Sequence, residues 1–243
     1  MIGRKGSQVE VILSFIIFIT FLIFLFIIIR PSFQPSDKEF LLDELERNII
    51  ERTTGELILS SVRIPDSFLG SCFIIRAKVN NPSYNAIVID NDGLKAAAEY
   101  NAPMIKIERN DNQNFFNMRF SEGLNNESVD EPSCPNINDS QLDFGLTKSF
   151  DFVTLYNLDS FRADYLNNYD IIKEELGFAI DSDFAFDFRD SAGNIIIYNN
   201  QEIKGIRDEQ IGGSVEIFAK DISVQYIDKE GEINQGWLHL EVW

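Results

Sequence analysis

Histidine is nearly missing from this chain: of 243 residues, His239 alone carries an imidazole. With only two cysteines besides, Cys72 and Cys134, a zinc site of the usual His and Cys ligands cannot be assembled. A catalytic triad would have to rest on His239, and the chain has no G-x-S-x-G turn to present a nucleophile. Set on a strand between Trp237 and Trp243, that histidine reads as structural. A phosphate-binding loop is absent too, since Gly212-Gly213-Ser214 is not followed by Gly-Lys-Ser/Thr. Asp90-Asn91-Asp92-Gly93 opens like a calcium loop, but its glycine comes too early and no glutamate follows at the bidentate position. It reads as a turn. Asp181, Asp183, Asp187 and Asp190 crowd one stretch, yet strand alternation sends some of them to solvent. Among 39 carboxylates no glycosidase pair stands out. The chain is therefore expected to be no enzyme and to hold no cofactor or metal.

Positive charge is also scarce. Lys and Arg number 21 against 39 Asp and Glu, a formal net charge of −18. Beyond residue 30 the count is 18 against 38. Such a surface is repelled by phosphate backbones, so nucleic acid is excluded as a partner, and the acidity reads as solubility.

What the chain has in excess is one long apolar run. From Val11 to Ile29 only Ser14 and Thr20 interrupt Ile, Leu, Phe and Val. As a helix it would be roughly 28 Å long, the thickness of a bilayer core. A cleaved secretory signal would be shorter and would end in small residues, whereas this run ends in Ile29-Arg30-Pro31. The expectation is a transmembrane helix over 11–30, a single-pass anchor in the lipid bilayer, preceded by a basic segment over 1–10. Lys and Arg are balanced across the run and do not fix its orientation. Asn126-Glu127-Ser128 and Asn138-Asp139-Ser140 are glycosylation sequons, with acceptors Asn126 and Asn138. Together with the cysteines they favour a cytoplasmic amino terminus and a carboxyl-terminal domain outside the cell membrane. Cys72 and Cys134 fit one disulfide closing a loop of about 60 residues, worth ~4 kcal/mol. Two buried thiols remain the alternative.

Ahead of the apolar run stands Arg4-Lys5-Gly6-Ser7-Gln8-Val9-Glu10. This arrangement resembles the class III signal peptides of archaeal type IV pilin-like proteins. The resemblance covers about 30 residues. It implies cleavage by a class III signal peptidase after Gly6, leaving Ser7 as the new terminus and Glu10 as the acidic residue of the first turn. A glycine there can enter a peptidase site in extended form, and a carboxylate near a helix start is favoured by the helix dipole. It also implies partners, namely other pilin-like subunits engaged through the apolar helix.

The remainder, 37–243, reads as a β-rich domain behind a Pro- and Ser-containing linker at 31–36. Ser36-Asp37-Lys38-Glu39 is a capping box opening an amphipathic helix through Leu41, Leu45 and Ile49, with Gly55 as its stop. Strand patterns follow at Glu56–Arg63, Cys72–Val79, Asn85–Asp90, Met104–Arg109 and Phe115–Phe120, the last two suggesting a hairpin. Residues 121–141, polar and Pro-containing, mark a surface loop, an insertion or a sub-boundary. Strand character returns over Asp143–Leu155. A second helix shows in the stripe Leu158, Phe161, Tyr165, Tyr169, Ile172 and Leu176, stopped by Gly177. The last third alternates strongly around Phe184, Phe186 and Phe188 and again around Leu238, Leu240 and Val242. A change of parity near Lys220-Asp221 predicts a bulge or break.

The fold expected is α+β: an N-terminal transmembrane helix, then a mostly antiparallel β ectodomain with two amphipathic helices. The function expected is that of a membrane-anchored pilin-like surface protein, a filament subunit or minor assembly component. The alternative is a signal-anchored extracytoplasmic binding module that is neither processed nor assembled.

Overall fold

The computed structural model describes residues 5–29, 37–109, 113–131, 133–178, 182–206 and 216–243. Along residues 5–10 and 26–29, and at Asp37, it describes the backbone alone. Helix α1 spans Lys5–Ile29 and α2 spans Asp37–Thr53. Side chains of α1 are described from Val11 to Leu25, about 22 Å of helix. Among the described residues no helix is long and apolar enough to cross a membrane. The expected transmembrane helix, the single-pass anchor and the membrane localisation are corrected accordingly. The linker at 31–36, including Ser36 of the expected capping box, lies outside the described residues.

Helix α2 feeds directly into the first strand. At its end the Thr53 and Thr54 hydroxyls donate to the carbonyls of Ile49 and Ile50, both at 2.7 Å, occupying acceptors that a helix end leaves free. Gly55, expected as the helix stop, lies instead inside strand β1, Thr54–Arg63. A Cβ there would stand 2.8 Å from the Thr154 methyl, so close approach rather than helix termination requires the glycine.

Fourteen more strands follow in chain order: β2 Cys72–Arg76, β3 Asn85–Asp90, β4 Lys95–Ala96, β5 Ala98–Asn101, β6 Met104–Glu108 and β7 Phe115–Ser121. Then come β8 Asp143–Phe144, β9 Lys148–Thr154, β10 Phe184–Asp190, β11 Ile197–Tyr198, β12 Gln201–Glu202, β13 Lys204–Gly205, β14 Phe218–Ile227 and β15 Ile233–Val242. Helices α3, Leu155–Asn167, and α4, Tyr169–Glu175, sit between β9 and β10. One large sheet runs β13-β10-β15-β14-β9-β1-β7-β3-β4, with β8 also on β1. Its pairs are antiparallel except β9 with β14, joined only at Tyr226↔Val153 and Ile227↔Thr154. A separate sheet, β2-β6-β5, lies apart.

This topology makes two cores. In the carboxyl-terminal half, Leu45 and Ile49 of α2 and Phe161 and Tyr165 of α3 pack on Phe184, Phe186, Phe188, Leu238 and Leu240. In the other half, the three-stranded sheet covers β1, β7 and β3, with Phe73, Ile75 and Ile107 against Phe116, Met118 and Phe120. The expected β6–β7 hairpin is therefore not formed. Strand β6 pairs with β2 and β5, and β7 belongs to the facing sheet, because each needs a different apolar partner surface.

Two more expectations are corrected. The aromatic stripe is not one helix: it breaks at Asn168, whose φ of −135° lies outside the helical region, and Tyr169 restarts it. Strand β14 carries no bulge, since its register with β15 is unbroken from Phe218↔Val242 to Ile227↔Ile233. Lys220 occupies a core-facing position there and satisfies its charge on Asp43 and Glu46 of α2, both at 2.6 Å. A long side chain that delivers its head to solvent-side carboxylates disguises an inward position as an outward one.

Candidate functional site

The most unusual surface is α1 itself. Val11 through Phe24 are all exposed, with Val11 at 67%, Phe15 at 63% and Ile17 at 62%. Because the apolar residues go all the way round, turning the helix cannot hide them. Thr20 adds little polarity, as its hydroxyl donates to the Ile16 carbonyl at 2.7 Å. Gly6 and Ser7 fall in the first turn of this helix, and Glu10 in its second; their side-chain surroundings lie outside the described residues.

On the body, Cys72 and Cys134 form a disulfide with a Cα separation of 5.3 Å. It ties the stretch after β7 to the edge of β2. There Ile74 donates to the Pro135 carbonyl and Ile137 donates to that of Ile74, both at 2.9 Å. The Lys106 ammonium holds the same stretch through the carbonyls of Val129 and Glu131. Residues 121–141 are thus a tethered cover over the second core, to which Ile137 contributes a buried side chain. Asn126 and Asn138 are both exposed on it. The Asn126 carbonyl oxygen accepts from the Tyr100 amide at 3.4 Å, whereas Asn138 makes no side-chain cap bond to the short 3-10 turn Asp139–Gln141.

The outer side of β10, β15 and β14 carries the lone histidine in a row of carboxylates. Register places Asp187 and Asp221 directly beside His239 on either side. Its Nδ1 lies 2.6 Å from Asp221 and its Nε2 lies 3.2 Å from Glu241. Burial pulls the ring's pKa down. The bonds to Asp221 and Glu241 and the charge of Asp187 outweigh that, leaving it above the ordinary histidine value. Both ring nitrogens face carboxylates, Asp221 and Glu241, rather than a hydroxyl or thiol. Asp187 is itself held by Arg189, at 2.6 and 2.8 Å. Nearby Ser223 accepts from the Gln235 side-chain amide.

The other acidic candidates are held within the fold, although the Asp90 Oδ2 is buried without a hydrogen-bond partner. Asp183 accepts from Tyr169 and Lys173 at 2.9 and 3.0 Å, and Asp181 lies outside the described residues. Asp90 and Asp190 each close a tight turn through their own loop amides. Gly212-Gly213-Ser214 lies outside the described residues. Among the described residues no group of three His, Cys, Asp or Glu is placed to hold a metal ion.

Surface hollows are shallow. One of about 480 Å³ is bordered by Asp170, Lys173, Glu174 and Phe178. Another of about 490 Å³ lies along α2 by Asp43, Glu46, Arg47, Ile50 and Glu51. A third, about 240 Å³, opens on β1, β7 and β3 between Leu59, Ile89, Asn117 and Leu146. Reading the sequence did not single out this third hollow. The only sequence sign of it is that Leu57, Leu59, Ile87 and Ile89 share the parity opposite to the core-facing Val62 and Val88. Comparison with known protein families, with curated proteins and with solved structures finds no match to this chain.

Proposed function

We propose that the protein is a non-catalytic, pilin-like assembly subunit whose α1 is buried against other copies, with the β-rich body forming the outer surface for packing or adhesion. The observation that carries this reading is the all-round exposure of Val11–Phe24. The twelve apolar residues of this stretch, more than half exposed on average, present roughly 1,000–1,500 Å² of apolar surface, worth ~25–35 kcal/mol if fully covered. Exposure on that scale marks a contact surface. Helices stacked in parallel can cover each other on all sides. The arrangement of Gly6, Ser7 and Glu10 supports the same reading, and cleavage by a class III signal peptidase after Gly6 belongs to it.

The test is sedimentation velocity of the purified full chain beside a Phe18→Glu/Leu22→Glu variant. The wild type is expected to sediment as discrete multimers and the variant as a 27.8 kDa monomer. A monomeric wild type removes the basis of the proposal. Intact mass then reads the processing, with a mature chain beginning at Ser7 expected.

A further inference from the structure

We propose that Asn138 is an N-glycosylation acceptor, taking a saccharide from an activated glycosyl donor, and that Asn126, the asparagine of the other sequon, is not. The site lies on the β-rich body and does not depend on assembly through α1.

Both asparagines are exposed on the cover over the second core, so exposure does not separate them. Their fastening does. Around Asn126 each successive residue is pinned. Asn125 donates its backbone amide to the Lys229 carbonyl at 2.8 Å and its side-chain amide to Glu230 at 2.6 Å. The Asn126 side-chain oxygen accepts from the Tyr100 amide, and Glu127 pairs with Lys95 at 2.8 Å. Val129, next after Ser128, is buried, and its carbonyl accepts from Lys106. A transferase that draws this sequon into its cleft has to strip these contacts.

Asn138 is held differently. Ile137 before it is buried in the second core and donates to the Ile74 carbonyl at 2.9 Å. The backbone at Asn138 is extended, with φ −71° and ψ 143°, so its side chain leaves on the side opposite Ile137. Asparagine ahead of a helical turn ordinarily spends its side chain as a cap. This one makes no such bond. The turn that follows, Asp139–Gln141, buries no residue, and Ser140 is exposed. Two backbone bonds close it, from Gln141 to Asn138 at 2.9 Å and from Leu142 to Asp139 at 3.2 Å. Asn138-Asp139-Ser140 can therefore be drawn out without uncovering the core, while Ile137 and the Cys72–Cys134 bridge hold its root. That bridge also marks a chain that folds under oxidising conditions, the setting in which sequons meet glycosyl donors.

In the transfer, the Asn138 Nδ2 attacks the anomeric carbon of a saccharide carried on a phosphate ester. A C–N bond forms and the amide gives up one proton. The C–O bond to phosphate breaks, and its electron pair goes to the leaving phosphate.

The experiment is intact mass and glycopeptide mapping of the full chain recovered from the cells that make it. Asn138→Gln, Ser140→Ala, Ser140→Thr and Asn126→Gln are made in the same cells. The wild type is expected to carry one saccharide, on the peptide containing Asn138. Asn138→Gln and Ser140→Ala are expected to lose the added mass completely, and Ser140→Thr and Asn126→Gln to keep it. All three positions are exposed, so unchanged melting temperatures are expected to show that the loss is not misfolding. A saccharide on Asn126, or a wild-type chain at its bare mass, overturns the assignment. Sedimentation velocity of the same samples reads assembly separately. A bare wild type that still forms multimers overturns the acceptor and leaves assembly through α1 standing.

Discussion

At the scale of the residue, His239 shows how the sheet sets the chemistry. One imidazole between Asp187 and Asp221, with Glu241 two residues along, is stabilised as a cation. Its folded pKa is raised above the unfolded value near 6.5, so its contribution to stability is full below about pH 6.5 and is lost as pH rises through the folded value. NMR titration of this single histidine is expected to give a midpoint above 6.5 that falls in Asp221→Asn; a midpoint below 6.5 would mean that burial outweighs the flanking carboxylates. Glu56 behaves in the opposite sense. The Ser149 and Tyr84 hydroxyls donate to it at 2.5 and 2.6 Å and hold its carboxyl below the usual value. Its contribution is present above the unfolded glutamate value and is lost as pH falls through the lower folded one. Burial and that same carboxylate push the Tyr84 phenol up to about 12. None of this was legible in the sequence. The lone histidine was visible, but which carboxylates flank it depends on the pairing of three strands drawn from residues 184–242.

At the scale of the element, one turn is used three times. Asp90, Asp190 and Asp228 each begin an Asp-x-x-Gly-x segment, and each Oδ1 accepts from the amides two and four residues on, all at 2.9 Å. Gly93, Gly193 and Gly231 take φ values of +80°, +87° and +74°. At Asp90 the calcium-like start is such a turn: Oδ1 accepts two loop amides, and Oδ2 is buried without a hydrogen-bond partner. Replacing Gly193 by Ala is expected to cost ~1–2 kcal/mol from the left-handed backbone alone, since a Cβ there meets nothing within 4 Å. Chemical denaturation checks it, and an unchanged midpoint would contradict the account. Such turns were readable because they are local. The β6–β7 crossover was not, because it is decided by which distant strand lies alongside.

At the scale of the whole molecule, two cores share one sheet, and the Cys72–Cys134 bridge fastens the cover of one of them. Reduction is expected to destabilise the body by up to ~4 kcal/mol. Reporters in the half built on β2, β3, β6 and β7 are expected to lose amide protection before those around Phe186 and Leu240. Equal loss in both halves would contradict the two-core description. The apolar run and the acidic, β-rich body were plain in the sequence. A bilayer span was inferred from the length of the run, yet among the described residues no helix is long and apolar enough to cross a membrane. What remains is a helix whose described side chains are almost wholly apolar and open to solvent. Electron microscopy of the full chain, purified without detergent, is the decisive measurement of assembly through α1. Particles or filaments of uniform width with a regular repeat and α1 at their centre are expected, and are expected to be absent in Phe18→Glu/Leu22→Glu. Isolated monomers or shapeless aggregates from the wild-type chain would contradict it.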